Sequence, residues 1–309
     1  MKCLNKVSVL CRVYYNIIRS TAIISLTNKQ RESDGKGVKK KTQPSLFVLK
    51  DEVSQMLRID KVTKEFPQSS GGRKRVLEDI SLKIEDNEFV CILGKSGCGK
   101  STLLNLLAGY TVPDYGALYL DRNMIHGPSA DRGIVFQEYA LYPWYTVLQN
   151  VAFGPSVRKD PNAEEIAMKY IKMIGLEKYK DYYPDSLSGG MRQRVGIARA
   201  LANNPRILLM DEPFSALDPY TREKMREELL NIWETEKTTV IFITHSVPEA
   251  VYLADRVVMI KSGKIKMDEK IDIPRKREMN NPKFVEYVNR FEAMLSDGNQ
   301  VAKTTITND

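Results

Sequence analysis

A glycine-rich loop set between an apolar run and a helix-forming run constrains this chain more than any other feature. "EFVCIL" (Glu88 to Leu93) reads as a buried strand and leads straight into Gly94-Lys95-Ser96-Gly97-Cys98-Gly99-Lys100-Ser101. "KSTLLNLLAG" (Lys100 to Gly109) then reads as a helix ended by glycine. The spacing fits G-x-x-x-x-G-K-[ST] in the strand-then-helix setting that gives the pattern meaning. Glycines let successive N–H groups turn inward with no Cβ in the way, and the helix adds its positive dipole end. Lys100 then offers a point charge to β- and γ-phosphates, and the Ser101 hydroxyl, followed by Thr102, a ligand for Mg²⁺. A glycine turn that binds nothing is the bland alternative, and this context disfavours it.

The partner of such a loop is present. "RILLMDEP" (Arg206 to Pro213) puts Asp211 and Glu212 at the carboxyl end of an apolar strand, where ligands collect in an α/β sheet. Asp211 is suited to the Mg²⁺ shell and Glu212 to polarising a water. Elsewhere "RGIVF", "TTVIFIT" and "RVVMIK" are further strands, so the fold class is α/β around a largely parallel sheet. "LRIDKVTKEF" and "ISLKI" predict an antiparallel layer before the loop. Residues of about 140–200 read as a helical insert; Ile166, Tyr170, Met173 and Ile174 share one helical face there. The expected organisation is a flexible N-terminal extension (1–55), one domain (56–275), and a C-terminal helix with tail (276–309).

Net charge is +8, which invites a nucleic-acid reading until it is located. Residues 1–55 carry eleven Lys/Arg against four Asp/Glu, leaving the remainder at +1. No general phosphate-backbone footprint is therefore expected, and no nucleic-acid partner. "VSVLCRVYYNIIRSTAIISL" is the nearest thing to a membrane span, but Arg12 and Arg19 lie inside it. The four cysteines (Cys3, Cys11, Cys91, Cys98) have neither C-x-x-C nor zinc spacing, which favours reduced thiols. "MLRIDKVTKEF" from Met56 is the natural opening of a domain, and a translation start there is an open expectation.

A second anion-gripping pattern stands at Leu187 to Arg194, "LSGGMRQR". With it in place the chain, from about Met56 to Ile273, closely resembles the nucleotide-binding subunits of ATP-binding-cassette transporters, a P-loop NTPase fold. Gln137 in "VFQE", Asp218 in "SALD" and His245 in "FITHS" match in family order. The resemblance implies two copies packed head to tail, with Ser188, Gly189 and Gly190 of one closing over ATP held by the other's phosphate loop. It implies that Gln137 touches Mg²⁺ and the attacking water, that His245 holds the γ-phosphate, and that Phe66 stacks on adenine. Asp218 falls in its nucleotide-binding set.

"DRGIVFQEYALYPWYTVLQNVAFG" (Asp131 to Gly154) and "IPRKRE" (Ile273 to Glu278) look like the nitrate, sulfonate and taurine importer cassettes. Asn87, where the family carries glycine, and Val247-Pro248 after the histidine depart from the pattern. The resemblance implies an importer ATPase on the cytoplasmic face of the membrane, with separate permease subunits and, indirectly, an extracytoplasmic solute-binding protein. Tyr139, Tyr142, Trp144 and Tyr145 would lie in the groove that receives the permease. An export or release ATPase stays open, as does a soluble cassette ATPase acting on nucleic acid or the ribosome. A single phosphate loop and signature, with no long coiled coil between them, weigh against the soluble class. "NNPKFVEYVNRFEAML" predicts one amphipathic helix, too little for a sugar-importer regulatory domain.

Overall fold

The computed structural model describes residues 55–68 and 71–296. The expected N-terminal extension lies outside these, save Gln55, as does the tail beyond Ser296. Strands β1 (Gln55–Pro67), β2 (Arg73–Glu85), β4 (Tyr115–Leu120) and β5 (Asn123–Met124) form an antiparallel sheet in the order β2-β1-β4-β5. It is the expected layer, extended by two strands that sequence periodicity did not mark.

A six-stranded sheet carries the rest. It comprises β3 (Phe89–Leu93), β6 (Arg132–Val135), β7 (Ile207–Asp211), β8 (Thr239–Thr244), β9 (Arg256–Lys261) and β10 (Lys264–Lys270). Their order is β10-β9-β3-β8-β7-β6, parallel except for the antiparallel edge strand β10. Every residue of β3 and β8 is buried, so these strands read as unbroken apolar runs. Alternation then decides which core each side chain joins. Val90, Ile92, Ile241 and Ile243 pack with helix α1 (Lys100–Leu107) and the small sheet. Phe89, Cys91, Leu93, Val240 and Phe242 join the helices on the other face.

Those helices include three between β6 and β7: α2 (Val147–Val157), α3 (Ala163–Met173) and α4 (Gly189–Leu201). Thr146 starts α2 with a reciprocal capping box to Gln149. On α3 the buried stripe is Ala167, Tyr170 and Ile171, continuing to Ile174; Ile166 and Met173 flank it, only half-buried. Beyond β7, α5 (Pro219–Glu236) is capped by Asp218, and α6 (Val247–Leu253) by Ser246. The expected last helix is α7 (Pro282–Leu295), holding Phe284 and Phe291 in the core. Asn87 adopts a left-handed φ of 60°, a conformation glycine and asparagine take most readily, and its amide donates to Thr239 Oγ1 at 2.8 Å. Among the described residues no helix is long and apolar enough to cross a membrane.

Candidate active site

The strand order decides what meets what. β3 and β7 both flank β8, so their carboxyl ends deliver the phosphate loop, Asp211-Glu212 and His245 to one edge. Two positions of the loop have no room for a side chain. A Cβ at Gly94 would sit 2.5 Å from the Ile260 carbonyl oxygen, and one at Gly99 2.9 Å from that of Val76. Gly99 also has φ 108°, which L side chains resist. Lys95, Ser96 and Gly97 are exposed, Cys98 and Thr102 half-buried, and Lys100 buried.

The Lys100 ammonium donates to the carbonyls of Gly94 (2.8 Å) and Lys95 (3.2 Å) and lies 3.5 Å from Glu212 Oε1. Ser101 Oγ donates to Asp211 Oδ1 at 3.3 Å. Burial pushes the Asp211 carboxyl up, the Ser101 hydrogen bond opposes this, and the Glu212 charge adds to it. Glu212 Oε2 sits 2.9 Å from His245 Nδ1. Its backbone is left-handed, φ 43°, fixed by N–H donation to the Ile243 carbonyl at 3.0 Å and acceptance from Ser215 Oγ at 2.8 Å. Lys100, Glu212 and His245 therefore form one contact chain, and their sequence neighbours Ser101 and Asp211 a second beside it.

The signature residues stand in other company. Ser188 caps α4 by accepting from the Met191 amide at 3.3 Å. A Cβ at Gly189 would lie 2.9 Å from the Tyr139 hydroxyl, and one at Gly190 2.8 Å from Thr221 on α5. Asp218 belongs to that neighbourhood too: its carboxylate accepts from the Thr221 amide at 3.0 Å. Bonds to Thr221 hold the Asp218 carboxyl below its ordinary value. Phe66, next to last in β1, has 40% of its surface exposed, with the Lys64 ammonium 5.5 Å from its ring centre. Gln137 is exposed beyond β6.

Sequence reasoning missed Glu249 and Arg222. Thr244 Oγ1, one residue before His245, donates to the buried Glu249 carboxylate at 2.7 Å. Arg222 lies 3.8 Å from that carboxylate and donates to the Leu217 carbonyl at 2.9 Å. The S-x-x-E pattern from Ser246 to Glu249 was the available signal. The aromatic run divides as well. Fully buried Asn150 bonds both main-chain groups of Tyr142 and the carbonyls of Tyr145 and Thr146. Trp144 is thereby left 65% exposed, while Tyr142 and Tyr145 are half-buried. Burial raises the Cys98 thiol above its ordinary range, and the nearby Lys100 charge opposes this.

A phosphate-binding loop, a buried lysine and two strand-end carboxylates around a parallel sheet define a P-loop ATPase. The ABC transporter family matches residues 77–215. An uncharacterized ABC transporter ATP-binding protein of Methanocaldococcus jannaschii is 50% identical over 252 residues, covering 80% of this chain and 94% of that protein. The nitrate import ATP-binding protein NrtD of Synechococcus elongatus is 42% identical over 241 residues (74% and 88%). The aliphatic sulfonates import ATP-binding protein SsuB of Bacillus cereus is 43% identical over 230 residues (74% and 91%). Among solved structures, a dimeric ATP-binding cassette in a post-hydrolysis state bound to ADP and Pi aligns with TM-score 0.62 at 34% identity. It covers 71% of this chain and all of that one. The chain belongs to the ATP-binding subunits of ABC transporters.

Members of this family hydrolyse ATP with Mg²⁺, and the residues present fit both. A loop whose Gly94 and Gly99 leave no room for a Cβ, set at the start of α1, brings main-chain N–H groups together and suits a polyphosphate. The paired Ser101 hydroxyl and Asp211 carboxylate are the hard oxygen donors Mg²⁺ takes.

Proposed function

We propose that the chain is the ATP-hydrolysing subunit of an importer for a small oxyanion or sulfonate, working as a head-to-tail pair on the cytoplasmic face of separate permease subunits. A solute-binding protein outside the membrane would deliver the cargo. One observation carries the two-copy reading. Lys100 with Glu212 and His245, and Ser101 with Asp211, form two adjoining contact sets, whereas Ser188, Gly189 and Gly190 pack against Met191, Tyr139 and Thr221. An anion-gripping loop with other neighbours is suited to a second copy's nucleotide.

Within each pocket Lys100 neutralises charge on the β- and γ-phosphates, and the helix dipole of α1 works beside it. Glu212 accepts a proton from the attacking water, and His245, oriented by its Nδ1 contact, holds the γ-phosphate. Ser101, Asp211 and Gln137 would hold Mg²⁺, which when bound neutralises developing phosphate charge. Phe66 is exposed enough to stack on adenine, and Asp218 steadies α5 beside the signature loop. Exposed Trp144 fits a permease contact. The solute class rests on the importer relatives and on Asp131 to Gly154.

The test is extraction of the tagged chain from its native membranes in mild detergent. An integral membrane protein should co-purify, and the complex in vesicles, supplied with the solute-binding protein, should hydrolyse ATP faster with nitrate or an alkyl sulfonate. Recovery solely with ribosomes or nucleic acid would overturn the reading.

A further inference from the structure

The signature helix α4 does more than present its N-terminus. Tyr139 crosses it at two points: its hydroxyl lies 2.9 Å from a Cβ position at Gly189, and its carbonyl oxygen 3.6 Å from one at Gly196. Arg192 places its guanidinium 5.1 Å from the Tyr139 ring centre and donates to the Leu187 carbonyl at 2.6 Å. Two turns on, Arg199 donates to the Ala140 carbonyl at 2.7 Å and lies 5.5 Å from the Tyr142 ring centre. Tyr142 in turn packs on Trp144, Tyr145 and Phe153, with ring centres 4.7–5.8 Å away. One helix face thus touches the serine–glycine loop at one end and the exposed aromatic patch at the other.

Between the two Tyr139 crossings lies Gln193, four residues after Gly189 and three before Gly196, on the same face. It is fully buried, and among the described residues neither its amide nitrogen nor its amide oxygen has a protein hydrogen-bond partner. Folded proteins leave few such groups, because each forfeits its bonds to water without replacement. The segment above it carries its own stress, since Ala140 has φ 48°, a conformation its Cβ resists. Both features carry a cost in this arrangement.

We propose that Gln193 makes this contact a two-position latch. In the second position a main-chain group of the Gln137–Tyr142 segment satisfies the Gln193 amide, and the exchange couples the serine–glycine loop to the aromatic face around Trp144. Gln193 is a positioning residue; it touches no nucleotide. The latch rests on the two-copy ATP reading above.

Gln193→Met keeps the length of the side chain and removes both orphaned atoms. Two readouts apply, made in a Glu212→Gln background so that ATP persists. The first is thermal melting: Gln193→Met melts several degrees higher without nucleotide. The second is Trp144 fluorescence, with Trp144→Phe as the blank for Trp233. Saturating ATP with Mg²⁺ changes it in the parent, and the change is lost in Gln193→Met although ATP still binds. A merely structural glutamine would not raise stability while abolishing the response. Arg199→Lys, which keeps charge but loses the planar fork, blunts the same change and serves should the methionine variant fail to fold. An undiminished ATP response in Gln193→Met, or in its absence Arg199→Lys, overturns the latch, as does a lower melting temperature for Gln193→Met. A parent that pairs on ATP with Trp144 unchanged does so too. A parent that binds ATP without pairing overturns the two-copy reading, and the latch with it.

Discussion

Replacing Lys100 by alanine should damage the protein in two separable ways. Its ammonium is 4% exposed at the side chain, donates to two main-chain carbonyls and faces Glu212 at 3.5 Å. A hydrogen bond from a charged donor is worth roughly 1.5–3 kcal/mol, while the longer contact to a partly exposed carboxylate adds less. Loss of the set should cost about 2–4 kcal/mol, lowering the melting temperature of a domain this size by on the order of 10 °C. The nucleotide loses the same charge, so hydrolysis should fall by about 10²–10³-fold and ATP binding should weaken. Differential scanning calorimetry without ligand reads the first effect; phosphate release and fluorescent-nucleotide titration read the second. Normal turnover would refute the phosphate-loop assignment. Unchanged melting would refute the idea that this lysine also secures the loop.

Glu212→Gln keeps the shape of the site and removes the proton acceptor. Turnover should fall by roughly 10²–10⁴-fold and an ATP-bound pair should accumulate on size exclusion; full activity would remove Glu212 as the base. Arg277→Ala should lower stability, read by urea melts, because buried Arg277 donates to the carbonyls of Val251, Tyr252 and Ala254 at the end of α6 and to Ile273. Burial lowers its pKa to about 10, so folded and unfolded chains are both charged there below that value. The deficit of the variant should therefore hold constant from pH 6 to 9. Only above pH 10, where the unfolded chain keeps a proton the folded one has shed, should Arg277 favour folding more as pH rises.

What the sequence made legible is what local pattern encodes. The phosphate loop, Asp211-Glu212 and the buried strands follow from glycine spacing and apolar runs, and the structure joins them at one edge. Helix α5 was not marked because most of its residues are polar; its buried face is Met225, Leu229, Leu230 and Ile232, and its clearest sign was Asp218 before Pro219. Strand β10, "KIKMDEK", is an edge strand with no fully buried residue. Arg277, within "IPRKRE", reads as surface charge, because only tertiary contact brings four carbonyls to it. Gln193 is hidden for the same reason: burial of a lone amide has no signature in local composition.

The left-handed turn at Glu212 has an evolutionary consequence. A carboxylate-bearing residue is held in backbone geometry that glycine would adopt with less strain. Laboratory selection for heat tolerance alone should therefore drift toward glycine there and yield hardy, inert descendants. Only continued demand for turnover keeps the side chain on its uncomfortable perch.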